Sequence, residues 1–383
     1  MIMAEKKVIS GADGMAIAAK LCRPKVLPMY PITPSTLIPE RMSEFVFNGE
    51  MIAKMIHVES EHSAISALYG AYATGVRSFT ATASQGLALM HEILPIVAGA
   101  RFPAVMAVAN RALAGPLNIW NDHSDAMSER DQGWIQLYCE NNQEAFDTII
   151  MAYKIAEAKK VLLPVMVCVD GFYLTHAYEP IQIEDQEKVD EFLPEYKPEN
   201  FLDTTSPKSF GGFAQPNTYM EFKEAEDKAM IETLKEIVKV NNEFKKTFGR
   251  KYGNGLIEGI NLDDADYALL CVGSVCGTIR EVIDELNAAG KKIGLIKLKS
   301  VRPLPVEDLK ILCKDLKMLG VIDRHASIGF GGALTNDIKS ALNNEKVLVE
   351  GFVAGLGGRD INKEKIRAAI ATIIKEKEGF WLK

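Results

Sequence analysis

No C-x-x-C pair and no cysteine–histidine cluster at metal-ligand spacing occurs in the 383 residues. The six cysteines, Cys22, Cys139, Cys168, Cys271, Cys276 and Cys313, lie mostly inside apolar runs and read as small core residues of a reducing compartment. An iron–sulfur cluster needs a thiolate set that this spacing does not offer, and no metal site is expected in the chain. Long apolar runs are missing too. Val161 to Val169 is too short to span a bilayer, and Met1 to Ser10 has lysines but no apolar core for a signal peptide. The expectation is a cytoplasmic protein without membrane contact. Excess basic charge is also absent: a formal net charge of -7, a sequence pI near 5.6 and no basic stripe argue against a nucleic-acid partner.

What is present is enough apolar sequence, 48% against 25% charged, to bury a full core, and the length suits two domains. The chain is organised around Met29-Tyr30-Pro31-Ile32-Thr33-Pro34-Ser35-Thr36 and the acidic segment His57-Val58-Glu59-Ser60-Glu61-His62-Ser63-Ala64, which are expected to meet in space. Val26 to Met29 reads as a buried strand, and Pro31 and Pro34 keep the next residues out of helix until Ser35 or Thr36 caps one. Thr33 is thereby presented at a strand's carboxyl end, the edge at which open parallel sheets bind ligands. On residue type alone the plainer reading is a turn whose threonine caps a helix.

Along the chain the spacing predicts a capped helix over 10–22, a strand Met55 to Val58, and a helix from Ser60 that places Glu61 in its first turn. Arg77 to Ala81 follows as strand, Ser84-Gln85-Gly86 as a small-residue turn, a helix through Leu89, Ile93 and Val97, and the strand Pro103 to Ala109. A long polar-aromatic loop, Asn110 to Asp125, precedes a helix Gln143 to Ala158 and the strand Val161 to Val169. Unbroken alternation of this kind means crossover connections and a parallel sheet covered on both faces. From about Thr175 to Asp263 the alternation stops. Prolines at 180, 194, 198, 207 and 216 suggest an extended connector, within which Met220 to Phe248 reads as a charged helix with Ile231, Leu234, Ile237 and Val238 on one stripe. A second alternating unit starts at Asp266, with Ser274 as helix cap and strands Tyr267–Val272, Ile293–Leu298, Met318–Ile322 and Val347–Val353. Its turns Gly329-Phe330-Gly331-Gly332 and Gly355-Leu356-Gly357-Gly358 are either tight turns or phosphate cradles, though neither has the spacing of a P-loop or dinucleotide fingerprint.

Four ordered motifs, Tyr30-Pro31-Ile32-Thr33-Pro34-Ser35, Glu59-Ser60-Glu61-His62-Ser63-Ala64, Thr82-Ala83-Ser84-Gln85-Gly86-Leu87 and Asn121-Asp122-His123-Ser124-Asp125, together with the α/β tail, resemble the alpha subunits of pyruvate:ferredoxin oxidoreductases (pyruvate synthases), of the 2-oxoacid:ferredoxin oxidoreductase family. The resemblance covers essentially the whole chain. It implies an α/β fold: a thiamine-pyrophosphate pyrimidine-binding type domain with a parallel sheet (1–175), the connector (176–262), and a smaller transketolase C-terminal-like α/β domain (263–383). In that family one subunit grips the aminopyrimidine and another holds Mg²⁺ and the pyrophosphate through a Gly-Asp-Gly motif, which this sequence lacks. The implied arrangement is thiamine pyrophosphate shared with a beta subunit that supplies the Mg²⁺ site. Gamma and ferredoxin-like delta subunits complete the complex, and the [4Fe–4S] clusters reside in partner chains. The implied reaction is reversible oxidative decarboxylation of pyruvate with coenzyme A, electrons passing to ferredoxin.

By the same resemblance Glu61 is the glutamate at the pyrimidine N1′, where a carboxyl favours the tautomer that removes the thiazolium proton. Thr33 is the threonine that hydrogen-bonds the oxoacid, and Arg111 the arginine facing its carboxylate, for which a guanidinium fork offers parallel donors. Pro31, Ile32, Ser84 and Gln85 join Glu61 as cofactor-binding residues. Bland roles stand beside these: Glu61 as a carboxylate favoured by the helix macrodipole, with Glu59 the more structural acid, and Arg111 as a salt-bridge partner of Asp122 or Asp125. Rival readings are the same chemistry on a branched-chain oxoacid, 2-oxoglutarate or oxalate, a non-catalytic scaffold subunit, and a self-sufficient transketolase-type enzyme, which the missing Gly-Asp-Gly opposes.

Overall fold

The structure is a computed structural model that describes residues 5–383; Met1 to Ala4, part of the stretch read for a signal peptide, lie outside the described residues. Two sheets dominate. The first runs Ser300–Arg302, Ile135–Tyr138, Val165–Asp170, Val105–Asn110, Phe79–Thr82, parallel throughout except for the pairing of Ser300–Arg302 with its neighbour. Beside Phe79–Thr82 lies a separate parallel pair, Val26–Met29 with Lys54–His57. Pro28 has no N–H to give a ladder, and the hydroxyls of Ser78 and Thr80 donate to Val26 O and Pro28 O, both at 2.8 Å, where backbone bonds would otherwise join the two sheets. The second sheet runs Trp381–Leu382, Leu348–Ala354, Met318–Asp323, Tyr267–Cys271, Ile293–Leu298, Ile257–Ile260, parallel but for the last pair.

The α/β class with parallel-dominated sheets is borne out, and the two organising stretches meet: Met29 pairs with His57, and Val58 N–H donates to Met29 O. Several local expectations are corrected. Ser84-Gln85-Gly86 is not a turn but the start of the helix Ser84–Leu89, and the helix expected to continue through Ile93 and Val97 is a second one, Leu94–Gly99, with proline in its first turn. Neither Ser35 nor Thr36 caps the helix Leu37–Phe47; the Ser35 hydroxyl donates to Ile32 O and ties down the turn instead. Ser274 makes no side-chain cap either, because its hydroxyl donates to Asp170 of the first sheet.

The connector is less extended than its prolines suggest. Tyr178–Ile183 pairs antiparallel with Glu5–Ser10, its Pro180 standing opposite Val8 in an edge pairing of two strands, and Gln186–Phe192 is a helix. The 30-residue helix Tyr219–Phe248 is present, but rolled from its expected register. Ala229, Thr233, Ile237, Val240, Phe244 and Phe248 face inward against the helices Leu94–Gly99, Asn142–Ala156 and Gln186–Phe192, while Ile231 is 55% exposed. Thr233 can be buried because its hydroxyl donates to Ala229 O one turn back.

A buried charge network joins the two sheets' layers. Lys297 reaches Glu140 and Glu144, and Lys299 reaches Glu144 and the Thr148 hydroxyl, at 2.7–2.8 Å. Burial alone would raise the Glu144 pKa, but the charges of Lys299 and Lys297 and their hydrogen bonds outweigh it and bring the carboxyl down to about 2.

Candidate active site at the carboxyl ends of the parallel strands

Each expected site residue follows directly after a parallel strand of the first sheet or its companion pair, so the topology delivers them to one edge. Glu61 is the first residue of the helix Glu61–Ala73, whose N-cap Ser60 accepts from Ser63 N–H. Its side chain is nearly buried and rests on Gly86: a Cβ there would come within 2.5 Å of Glu61 Oε1 and 2.6 Å of Thr82 Oγ1. The only donor that meets the carboxyl, among the described residues, is its own backbone N–H, and desolvation raises its pKa. The Thr82 hydroxyl beside it is buried and unpartnered. Glu59, by contrast, is exposed at the side chain and accepts from Ser63 Oγ at 2.6 Å, which lowers its pKa.

Across the site, Arg111 is 7% exposed. Its Nη1 donates to Thr33 O at 2.9 Å and its Nε to Asn118 O at 3.0 Å. Neither Asp122 nor Asp125 forms an ion pair with the guanidinium, so the salt-bridge alternative is not what the structure shows. Burial lowers the Arg111 pKa, partly offset by the Asp125 charge. The Thr33 hydroxyl stands at the surface while its carbonyl anchors Arg111. Pro31 lines a surface groove with Met29, Phe47, Met55 and His57, and Ile32 packs partly into the core.

Ser84 is fully buried, with a left-handed φ of 49° that costs a non-glycine residue about 1 kcal/mol or more. Its hydroxyl lies 2.6 Å from Ala112 O and from Gln85 Oε1. Its N–H donates to Asp125, which the sequence offered only as a motif member and a salt-bridge partner for Arg111. Asp125 also accepts from Arg111 N, Asn110 Nδ2 and Ala126 N. Desolvation pushes the Asp125 carboxyl up to about 6 against those four donors. The structure thus joins Thr33, Arg111, Ser84 and Gln85 through direct bonds and Asp125, and sets Glu61 against the helix that Ser84 begins. Thr82 and Gly86 were inside a quoted motif, yet no spacing in the sequence places either beside Glu61.

The loop carrying these groups is held from the second sheet. Asp170 is fully buried and accepts from His123 Nε2, Ser274 N and Arg324 Nη1 at 2.7–2.8 Å; burial would raise its pKa, but Arg324 and His123 hold it far below the usual carboxylate range. Asp122 accepts from Gly357 N, Asn118 Nδ2 donates to Gly357 O, and Gly358 N donates to Asn121 O. The turn at Gly355–Gly358 therefore does receive an anionic group, and that group is the chain's own Asp122.

For the aminopyrimidine side of thiamine pyrophosphate these residues fit: a nearly buried carboxyl with no outside donor stands beside an unpartnered hydroxyl and a wall without a side chain. Among the described residues there is no group of three or more His, Cys, Asp or Glu side chains that could hold a metal ion, and no helix long and apolar enough to cross a membrane.

Residues 17–242 match the family model "Pyruvate flavodoxin/ferredoxin oxidoreductase, thiamine diP-bdg", and residues 265–366 match "Pyruvate:ferredoxin oxidoreductase core domain II". The chain is 53% identical over 378 residues to pyruvate synthase subunit PorA of Methanocaldococcus jannaschii, covering 98% of this chain and 97% of that one. It is 45% identical over 366 residues to ketoisovalerate oxidoreductase subunit VorA of Pyrococcus horikoshii, covering 95% and 92%. A solved 2-oxoglutarate:ferredoxin oxidoreductase from Magnetococcus marinus has the same fold over 97% of this chain, at a TM-score of 0.72 and 20% identity; this chain spans 65% of its length. With models matched over most of its length and relatives near full length at this identity, the chain belongs to the pyruvate flavodoxin/ferredoxin oxidoreductase family and carries that family's thiamine-diphosphate-binding domain.

Proposed function

We propose that this chain is the aminopyrimidine-side subunit of a pyruvate:ferredoxin oxidoreductase, acting in the reversible oxidative decarboxylation of pyruvate with coenzyme A to acetyl-CoA and CO₂. The observation that carries the reading is the Glu61 carboxyl, nearly buried, raised in pKa and met only by its own N–H. A carboxyl kept for the helix macrodipole alone would gain by facing water; this one faces a buried hydroxyl and a glycine. Bound thiamine pyrophosphate supplies a carbon nucleophile for the 2-oxo carbon and takes up the electron pair left when CO₂ departs. Glu61 holds a proton opposite the aminopyrimidine N1′. The Thr33 hydroxyl donates to the substrate's 2-oxo oxygen, and Arg111, with Nη2 and one Nη1 hydrogen still free, takes its carboxylate end-on. Pro31, Ile32, Ser84 and Gln85 shape the cofactor side.

Several finer points belong to the same proposal. A beta subunit supplies Mg²⁺ and the pyrophosphate site, in keeping with the missing Gly-Asp-Gly. Partner subunits hold the [4Fe–4S] clusters and pass electrons to ferredoxin, gamma and ferredoxin-like delta subunits complete the complex, and the complex is cytoplasmic. The chain divides functionally at 1–175, 176–262 and 263–383. We propose pyruvate rather than a branched-chain oxoacid because pyruvate synthase subunits of several organisms match at 50–53% identity, whereas the ketoisovalerate enzyme subunit matches at 45%, the level of a more distant pyruvate synthase subunit. The test is Glu61→Gln in the assembled complex, read as exchange of the C2 proton of bound cofactor by NMR. The amide cannot support the tautomer shift, so exchange should fall by about a hundredfold or more, the scale of a lost acid–base group, with assembly intact. Exchange at the native rate would reduce Glu61 to a helix-start acid.

A further inference from the structure

Four donors converge on one buried carboxylate in this site. Asp125 Oδ2 accepts from the backbone N–H groups of Ser84 and Arg111, both at 2.9 Å. Oδ1 accepts from Asn110 Nδ2 at 2.9 Å and from Ala126 N at 2.7 Å. The side chain is 1% exposed, and among the described residues no cation pairs with it. The other acids of the region serve different ends: Asp122 holds Ser124 and Gly357, and Asp170 holds His123, Ser274 and Arg324.

A carboxylate is the only side chain of this size that presents acceptors alone at both ends. An asparagine, whichever way it turned, would aim its NH₂ at two N–H groups and leave them buried without an acceptor. The two that share Oδ2 matter most, because they belong to segments that follow different strands. Ser84 opens the helix that supports Glu61 and carries Gln85, and its positive φ is a conformation that needs an outside hold. Arg111 begins the loop whose guanidinium is tied to Thr33.

Building on the function proposed above, we infer that Asp125 is a positioning residue that sets the spacing between the cofactor side of the site, at Ser84, and the oxoacid side, at Arg111, by holding both backbone N–H groups on one oxygen. It touches neither cofactor nor substrate. Its effect on turnover passes through Arg111 and Ser84, so its loss and theirs overlap.

The experiment uses the whole complex carrying Asp125→Asn, Arg111→Lys or both. Asp125→Asn is expected to raise KM for pyruvate about tenfold or more, as losing well-placed donors to a substrate carboxylate would. The double variant should lose much less than the product of the two single losses. Hydrogen exchange at the Ser84 and Arg111 amides should quicken together. A general structural role would instead give multiplying losses and a lowered melting temperature without selective exchange at those two amides, and either result overturns the inference. If Asp125→Asn fails to assemble, Asp125→Glu, which keeps the acceptors but moves them outward by one methylene, takes its place: a several-fold rise in KM with quicker exchange at both Ser84 and Arg111 supports the role, and native KM and exchange overturn it. Failure of the proposed function looks different. In that case Arg111→Lys alone would match the native complex for pyruvate and every other 2-oxoacid tried.

Discussion

The guanidinium of Arg111 is braced by protein carbonyls at Asn118 and Thr33 and keeps its outer hydrogens free. That arrangement separates charge from shape. Arg111→Lys keeps the positive charge, but a single ammonium cannot bond Asn118 O, Thr33 O and a substrate carboxylate with the planar geometry of the fork. The variant should weaken use of pyruvate by ~1–3 kcal/mol in kcat/KM while leaving cofactor binding close to native. A rise in KM would place the contact mainly in the ground state, and a fall in kcat would place it in cleavage. Unchanged kcat and KM would remove Arg111 from the site. At this scale the sequence was informative where a motif is contiguous: Glu61 is where a Ser60-capped helix put it, and Thr33 follows its strand in a turn that Ser35 ties down. It offered Asp125 only as a salt-bridge partner of the Arg111 side chain and missed its hold on backbone N–H groups, since four hydrogen bonds from three segments leave no local trace.

At the scale of elements, the short helix Ser84–Leu89 acts as the wall of the Glu61 site through the absence of one side chain. Gly86 is in its interior, where alanine would ordinarily stabilise a helix by about 1 kcal/mol. Here the added methyl would lie 2.5 Å from Glu61 Oε1. Gly86→Ala, which also meets buried Thr82 Oγ1 at 2.6 Å, should therefore forfeit that gain and lower the melting temperature, while slowing C2 proton exchange of bound cofactor. Native exchange in a folded variant would mean that the wall has room to give. The long amphipathic elements were legible from period alone, and Val26–Met29 and Ile293–Leu298 stand where the apolar runs end. The misses have physical causes. Ile135–Tyr138 and Ser300–Arg302 are too short to show a period, and they pair with each other across 160 residues of sequence or more, a contact that no window of neighbours contains. The roll of the Tyr219–Phe248 helix escaped because buried Thr233 and Asn241 look like surface residues until their hydrogen-bond partners are known.

For the whole molecule, the lysine–glutamate network between the two layers makes stability depend on acid in a definable window. The Glu144 carboxyl, at about 2 in the fold against an ordinary 4.5, contributes stability that is full above pH 4.5 and is lost as the pH falls toward 2. The upper limit is roughly 3 kcal/mol. Glu144→Gln would leave Lys299 buried without its counter-charge and Lys297 with Glu140 alone, costing about 3–5 kcal/mol at neutral pH, and should also flatten the fall in stability between pH 4.5 and 2. Melting temperatures of both forms across that range decide the matter; parallel curves would assign the acid sensitivity to other groups.

The contact between the Asn110–Asp125 loop and the Gly355–Gly358 turn has a consequence for descent. Asn118, Asn121 and Asp122 in the first half are matched to the backbone of Gly357 and Gly358 in the second. A gene that exchanged its distal half with that of a cousin enzyme would inherit a loop cut for one seat and a seat cut for another loop. The loop and the tail that steadies it are thus passed on together, as one heritable unit written in two distant stretches of the same reading frame.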